Sequence, residues 1–399
     1  MNQDPTPPRR QPLAGITVLD LGQIYQAPYC GLLLALAGAD VIKIEPPHGE
    51  PVRSRRAASL PLAMLNSNKS GMTLDLKNPK GREVFLRLVE QADVVMENFM
   101  PGVMERLGLG AQTLLERNPR LVYASASGYG SSGPNRDLLA MDLTIQAMSG
   151  TMHVTGYPDR PPVKAGPALS DFLSGTHLYG AILTALFDRE RTGKGCIAEV
   201  AMQDTMYPAL ASNLTLYYEG KDTVRTGNRH GALAMAPYNT YEASDGYVAV
   251  ICVTEGHWRG LVQAMGRPAL LDDPRYASHA TRCQIMQEVD AVVNDWTRER
   301  TREAVMQASR EFHFPCAPVR TLDEVVHDRH MHERGMLQYV EHPELGRVVL
   351  PHSPLRFADV QPAPLRPNPE LGQHNRQILR ERLGLDDAAI DALAQAGAW

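Results

Sequence analysis

Between Pro12 and about Met202, short runs rich in β-branched residues alternate with longer segments whose apolar residues recur at helical spacing, and this alternation constrains the fold more than any other feature of the chain. Parallel strands cannot be joined by a tight turn. Each needs a crossover of a dozen or more residues, so strand–helix–strand order predicts a parallel sheet covered by helices. Gly15–Leu21 (GITVLDL), Asp40–Glu45 (DVIKIE), Asp93–Phe99 (DVVMENF) and Arg120–Ser127 (RLVYASAS) read as strands, with Ala27–Ala39 and Lys80–Ala92 as helices. Right-handed crossovers gather the loops after the strands along one sheet edge, where open α/β sheets bind ligands. Chemistry is expected in those loops.

The segment Asp171–Arg191 (DFLSGTHLYGAILTALFDRER) keeps helical spacing and runs into TGKG, a stop signal, so it reads as a helix with Asp171 at its start. Around residues 220–245 the pattern breaks into a Gly- and Asn-containing stretch, followed by a strand at Tyr247–Val253 and helices to about Phe312. The fold class expected is α/β: a large Rossmann-like domain over 12–224, a smaller α+β domain over 225–320, and a return to the large domain over 321–399. Gln373–Leu383 and Asp387–Gln395 read as helices of that return, and residues 1–11 as a flexible tail. At 399 residues the chain has room for two or three domains.

Forty basic residues against 45 acidic ones leave a net charge of −5, which argues against a nucleic-acid partner that needs a broad basic face. Five widely spaced cysteines (Cys30, Cys196, Cys252, Cys283, Cys316), never in a CxxC pair, suggest neither a disulfide framework nor a zinc ribbon. The N-terminal MNQDPTPPRRQ lacks the apolar core of a signal peptide, and no window reaches the ~18 apolar residues that span a bilayer. A soluble, cytoplasmic protein with no membrane partner is the expectation.

No GxGxxG follows the first strand, and Walker A and GxSxG motifs are missing, so the usual handles for dinucleotides, nucleoside triphosphates and α/β-hydrolase serines are absent. His327, His330 and His332 lie in HDRHMHE without the i, i+4 spacing of HExxH and read as a solvated surface; no metal site is expected. Cys30 reads as a small buried hydrophobe rather than a nucleophile. Lys69, Lys77 and Arg106 form a sparse basic set near strand-end loops, as surface charges or as partners for phosphates. Asp171 follows the mostly apolar AGPALS. One reading is an N-cap; the other is a carboxylate nucleophile, ionised at neutral pH because an unperturbed Asp titrates near ~3.9.

Several stretches, taken together, resemble a known family: PLAGITVLDLGQIYQAPYCGLLLALAGADVIKIEPP, MLNSNKSGMTLDLK, ADVVMENFMPGVMERLG, NPRLVYASASGYG, DLTIQAMSG, ALSDFLSGTHLYGAILTALFDRERTGKG and PELGRVVLPHSPLRF. They are similar to the class III coenzyme A transferases, the formyl-CoA transferase and CaiB/BaiF type, in order from residue 12 to about 380. The resemblance implies that Asp171 is the catalytic nucleophile, attacking an acyl-CoA thioester to give an aspartyl anhydride and then an aspartyl-CoA thioester that an acceptor carboxylate resolves. It implies acyl-CoA and a small carboxylic acid as partners, coenzyme A thioesters as substrates, and no metal or tightly bound cofactor. CoA contacts carry over to Tyr25, Gln26, Ala27, Leu74, Lys77, Asn98, Phe99 and Arg106, and a substrate pocket to Met141, Asp142, His230 and Gly231. It further implies two ring-like subunits threaded through one another as an interlocked homodimer.

Two departures from the formyl-CoA type are visible. Pro46 stands where an arginine is expected after the IE of the second strand, and the side chains of Tyr25 and Gln26 differ. A succinyl-CoA donor and a small dicarboxylate acceptor are the expectation, with Arg229 and His230 able to receive a second anionic group. An α-methylacyl-CoA racemase shares much of the pattern but carries a His-Asp pair where this chain has Met141-Asp142, and a thioether cannot exchange a proton. A non-catalytic CoA-binding protein would not need the carboxylate at Asp171.

Overall fold

Residues 10–55, 59–222 and 225–399 are described by a computed structural model of the chain. Six strands, β1 (Thr17–Asp20), β2 (Asp40–Glu45), β3 (Ser70–Thr73), β4 (Val94–Glu97), β5 (Val122–Ser127) and β6 (Cys196–Ala201), form one sheet in the order β3-β2-β1-β4-β5-β6. Every neighbouring pair is parallel. Because side chains alternate across a strand, each strand feeds two cores. Leu19, Ile42, Val95 and Tyr123 pack with Phe85 and Leu88 of the helix Pro79–Val89 and with Leu379 and Ile390 near the C-terminus. On the opposite face Val18, Val41, Val94 and Val122 pack with Leu33 and Leu34 of the helix Gln26–Leu36 and with Leu178 and Ile182 of the helix Leu169–Thr192.

Strands β3 and β6 are not in the sequence reading. SGMT is four residues with one large apolar side chain, and CIAEVA is a mostly exposed edge, so neither shows the buried run by which a parallel strand is recognised. The C-terminal segment closes the β3 edge: Asn375 Oδ1 accepts from the Thr73 N–H at 2.8 Å, and the Ala398 carbonyl accepts from the Asp75 N–H at 2.8 Å.

Contacts divide the chain into two units, 1–146 with 167–206 and 328–399, and 147–166 with 207–327. These bounds differ from the 224/225 and 320/321 boundaries read from sequence. The crossing falls at the turn Tyr207–Leu210 (YPAL), whose Pro208 between the helices Met202–Met206 and Ala211–Tyr218 was the signal passed over, and the short helix Thr151–Val154 belongs with the second unit. That unit holds an antiparallel sheet, β7 (Tyr238–Ala243), β8 (Gly246–Ile251) and β9 (Cys316–Pro318), in the order β7-β8-β9. Its core is Trp258, Leu261, Val289, Val293, Trp296 and Phe314. In the first unit, β10 (Leu337–His342) and β11 (Gly346–Pro351) form a hairpin. Among the described residues no helix is long and apolar enough to cross a membrane.

Candidate active site

The loop after β1 is fixed residue by residue. The Gly22 N–H donates to Asp20 Oδ1 (2.8 Å), the Gln23 N–H to Asn98 Oδ1 (2.7 Å) and the Ile24 N–H to Glu50 Oε2 (2.8 Å). Asn98 Nδ2 returns a bond to the Gln23 carbonyl at 3.0 Å, and Lys43 Nζ donates to the Gly22 carbonyl. Ile24 is held at φ +66°, a conformation that a β-branched residue adopts only when its surroundings impose it. Beneath the loop lie buried ion pairs, Lys69–Asp20 at 2.7 Å and Lys43–Glu50 at 3.1 Å, and the less buried Arg53–Glu45 at 2.7 Å.

This corrects two sequence expectations. Lys69 cannot meet a phosphate: its ammonium is buried and bonded to Asp20, the Pro28 carbonyl and Asn66 Oδ1. Leu74 is 1% exposed, backbone included, and its N–H is bonded to the Glu45 carbonyl at 2.8 Å, so it lies in the core and not at a ligand surface. Asn98 spends its amide on the Gln23 backbone, so it shapes the loop. Phe99 is half-buried against the core, while Lys77 and Arg106 are exposed, Arg106 closing the short helix Val103–Arg106. The network of Lys43 and Glu50 escaped the sequence reading. Its signal was a lysine set among the apolar residues of VIKI, at positions 41–44, since a buried ammonium demands a partner.

Asp171 is the third residue of the helix Leu169–Thr192, whose N-cap is Ala168, and it caps nothing. The N-cap reading is therefore replaced by a carboxylate that accepts no hydrogen bond among the described residues. Its neighbour Ser170 is buried, and both its N–H (2.9 Å) and Oγ (2.7 Å) donate to Asp142 Oδ1. Gln146 Nε2 donates to Asp142 Oδ2 at 2.7 Å. Burial, followed by repulsion from the Asp142 carboxylate, raises the Asp171 pKa from 3.8 to about 7. The expectation of full ionisation at neutral pH is corrected accordingly.

Asp171 and Gly175, four residues apart, share one helix face. A Cβ on Gly175 would lie 2.5 Å from the Gln26 carbonyl oxygen, so glycine is what lets this helix sit on the N-terminus of the helix Gln26–Leu36. Phe172 stacks on Tyr25 (centroids 6.2 Å apart) and meets the edge of Tyr29 (4.9 Å), bringing the first loop and the Asp171 turn together. Cys30 is fully buried, and desolvation pushes its thiol pKa well up, the direction of an inert side chain.

Met141 is 55% exposed beside Asp142. His230 and Gly231 belong to the second unit. His230 Nδ1 accepts from the Ala232 N–H at 3.2 Å and its ring meets Tyr238 edge-on, which orders its own loop. Arg229 is bound through Nε and Nη2 to Asp290 Oδ2 at 2.9 and 2.7 Å, so the free anion receptor expected there is already occupied. No group of three or more metal-ligating side chains occurs among the described residues.

Residues 13–375 match the model of CoA-transferase family III. The chain is 36% identical to the succinyl-CoA–D-citramalate CoA-transferase of Chloroflexus aurantiacus over 394 residues, covering 96% of this chain and 97% of that protein. It is 35% identical to the succinyl-CoA:mesaconate CoA-transferase of Haloarcula hispanica over 384 residues, 92% of this chain and 96% of that one. A CAIB/BAIF family protein from Brucella suis superposes with a TM-score of 0.83 at 33% identity, covering 94% of this chain and all of that one. The protein belongs to CoA-transferase family III and is an enzyme of the CoA-transferase class.

Proposed function

We propose that the enzyme moves coenzyme A from succinyl-CoA to a small dicarboxylate, with Asp171 as the covalent relay. The observation that carries this reading is the unpaired Asp171 carboxylate on the first turn of a long helix, pressed against the loop that follows β1. Mesaconate and D-citramalate, in the names of the two relatives, are small dicarboxylic acids, which favours that acceptor class here.

The ionised carboxylate adds to the thioester carbonyl and expels CoA thiolate, leaving a mixed anhydride. The thiolate attacks the aspartyl carbonyl, releases succinate and leaves an aspartyl-CoA thioester. The acceptor carboxylate repeats the exchange in reverse order, and Asp171 is regenerated. A thioester is traded for a thioester, so the reaction is nearly balanced. The protein has to position the groups, exclude water from two hydrolysable intermediates and hydrogen-bond the developing oxyanions. Tyr25, Phe99, Lys77 and Arg106 are assigned to CoA; Ala27 and Leu74, at 0% and 1% exposed, are assigned to the core that supports them. Met141 and Asp142 are assigned to the acyl group, and, in the second unit, Gly231 and His230 to substrate.

The interlocked homodimer is part of the same proposal. Leu139 (78% exposed), Phe187 (66%) and Tyr218 (75%) leave large apolar side chains in solvent on a single chain, which a second copy would cover. The proposal is tested by incubating the protein with succinyl-CoA and a panel of mono- and dicarboxylic acids and reading the new acyl-CoA by mass spectrometry. Transfer to dicarboxylates and its loss by ~10³-fold or more in Asp171→Asn are the expected results. Undiminished transfer by a folded Asp171→Asn enzyme overturns the nucleophile; transfer to monocarboxylates alone overturns the acceptor class.

A further inference from the structure

Six buried side-chain polar atoms lack a hydrogen bond among the described residues: Gln26 Nε2, Glu50 Oε1, Arg189 Nε, Trp258 Nε1, Trp296 Nε1 and Arg302 Nε. Glu50, Arg189 and Arg302 are engaged in ion pairs. The two tryptophans belong to the core of the second unit, where Arg282 and Arg300 lie over their rings. Gln26 has no ion pair and belongs to the first unit, on the helix that Gly175 meets. It is 3% exposed, opens the helix Gln26–Leu36, and carries an amide with two donor protons and nothing to receive them. Leaving a buried donor unmet is costly, so one held next to a candidate nucleophile's helix marks a place where a bound group can meet it.

The surroundings say what that is. The Gln26 carbonyl is the backbone atom against which Gly175 packs, and Asp171 is one helical turn before Gly175 on the same face. Tyr25, the preceding residue, stacks on Phe172, the residue after Asp171. The chain entering this position cannot relax to satisfy the amide: Gln23 and Ile24 are tied to Asn98 and Glu50, and Ile24 is held at φ +66°. A dehydrated donor on the residue whose backbone meets the Asp171 helix one turn from the nucleophile has the character of an oxyanion donor, whose strength comes from orientation fixed before the reaction.

We infer that the Gln26 side-chain amide donates a hydrogen bond to the thioester carbonyl oxygen as Asp171 adds to that carbonyl. This rests on the reading of Asp171 as nucleophile. In the step, an Asp171 oxygen forms a bond to the acyl carbon, the carbonyl π pair moves onto oxygen, and the amide N–H stabilises that charge. Collapse restores the carbonyl and breaks the carbon–sulfur bond, releasing CoA thiolate. No proton is transferred, so a neutral amide suffices.

The test is a rapid-quench measurement of aspartyl adduct formation with succinyl-CoA on the whole enzyme, read by intact-protein and peptide mass, for the wild type, Gln26→Met and Gln26→Glu. Gln26→Met keeps the volume and removes the donor. Its adduct should form ~10²-fold more slowly, with KM for succinyl-CoA within about twofold and a thermal midpoint equal to or above that of the wild type, because no bond of the free enzyme is lost. Gln26→Glu should be at least as slow, with its acid limb moved to higher pH by the added like charge. A structural role would instead lower the thermal midpoint. Adduct formation at the wild-type rate in Gln26→Met overturns the inference while leaving Asp171 intact, whereas no adduct in the wild type during active transfer overturns the nucleophile itself.

Discussion

At the scale of single residues, the Asp171 carboxylate has conflicting demands. As a nucleophile it has to be ionised, yet its neighbours push its pKa to about 7, and the helix N-terminus that would favour the charge does not cancel them. The pH dependence of kcat/KM for succinyl-CoA should therefore show an acid limb near pH 7, falling tenfold per unit below it. Asp142→Asn removes the second cause of the shift and should move that limb to lower pH. An unmoved limb would mean that another group titrates there.

The same shift bears on stability. A carboxyl whose pKa is higher folded than unfolded favours folding while it is protonated, and that contribution is lost as pH rises from about 4 through about 7. Asp171→Asn should accordingly stabilise the fold progressively over that window, by roughly 1–3 kcal/mol above it, the usual relation of a strained functional group to stability. Denaturant titrations of both proteins at pH 5 and pH 8 would show it; an equal effect at both values would contradict it.

The elements that bring the site together are two helices and one loop. Because Gly175 rests on the Gln26 backbone, Gly175→Ala should force the helices apart, costing about 1–3 kcal/mol by thermal or chemical denaturation and lowering kcat more than it raises KM. The ion pairs under the loop act by a different route. Lys43→Met leaves Glu50 unpaired in the interior, and breaking a buried pair from one side typically costs 3–5 kcal/mol.

At this scale the sequence was legible where a face is buried. DVIKIE and the long helix at 169–192 announce themselves by apolar period. The Asp171 position came from resemblance, since its own local signal favoured a cap. The partners of Lys43, Lys69 and Arg229 were not legible, because a pair joined across dozens of residues leaves no local pattern, and a charge that looks free in sequence is often already matched in the fold.

For the whole molecule, the C-terminal return is tied to β3 by Asn375 and to Asp75 just after it by Ala398, so the C-terminal segment stabilises one sheet edge. If the exposed apolar side chains are covered by a threaded partner, folding and assembly are one transition. The denaturation midpoint should then rise with protein concentration, and dilution into the nanomolar range should yield no stable monomer by analytical ultracentrifugation. A folded, monodisperse monomer would contradict that assembly.

The central claim is that one carboxylate carries the coenzyme between acids. It is tested most directly by mixing the enzyme with succinyl-CoA alone, reducing the trapped species with borohydride and mapping the modified peptide by mass spectrometry. The account predicts reduction of a single side chain, Asp171 to homoserine. An unmodified Asp171 in protein that is turning over, or modification at another residue, would contradict it.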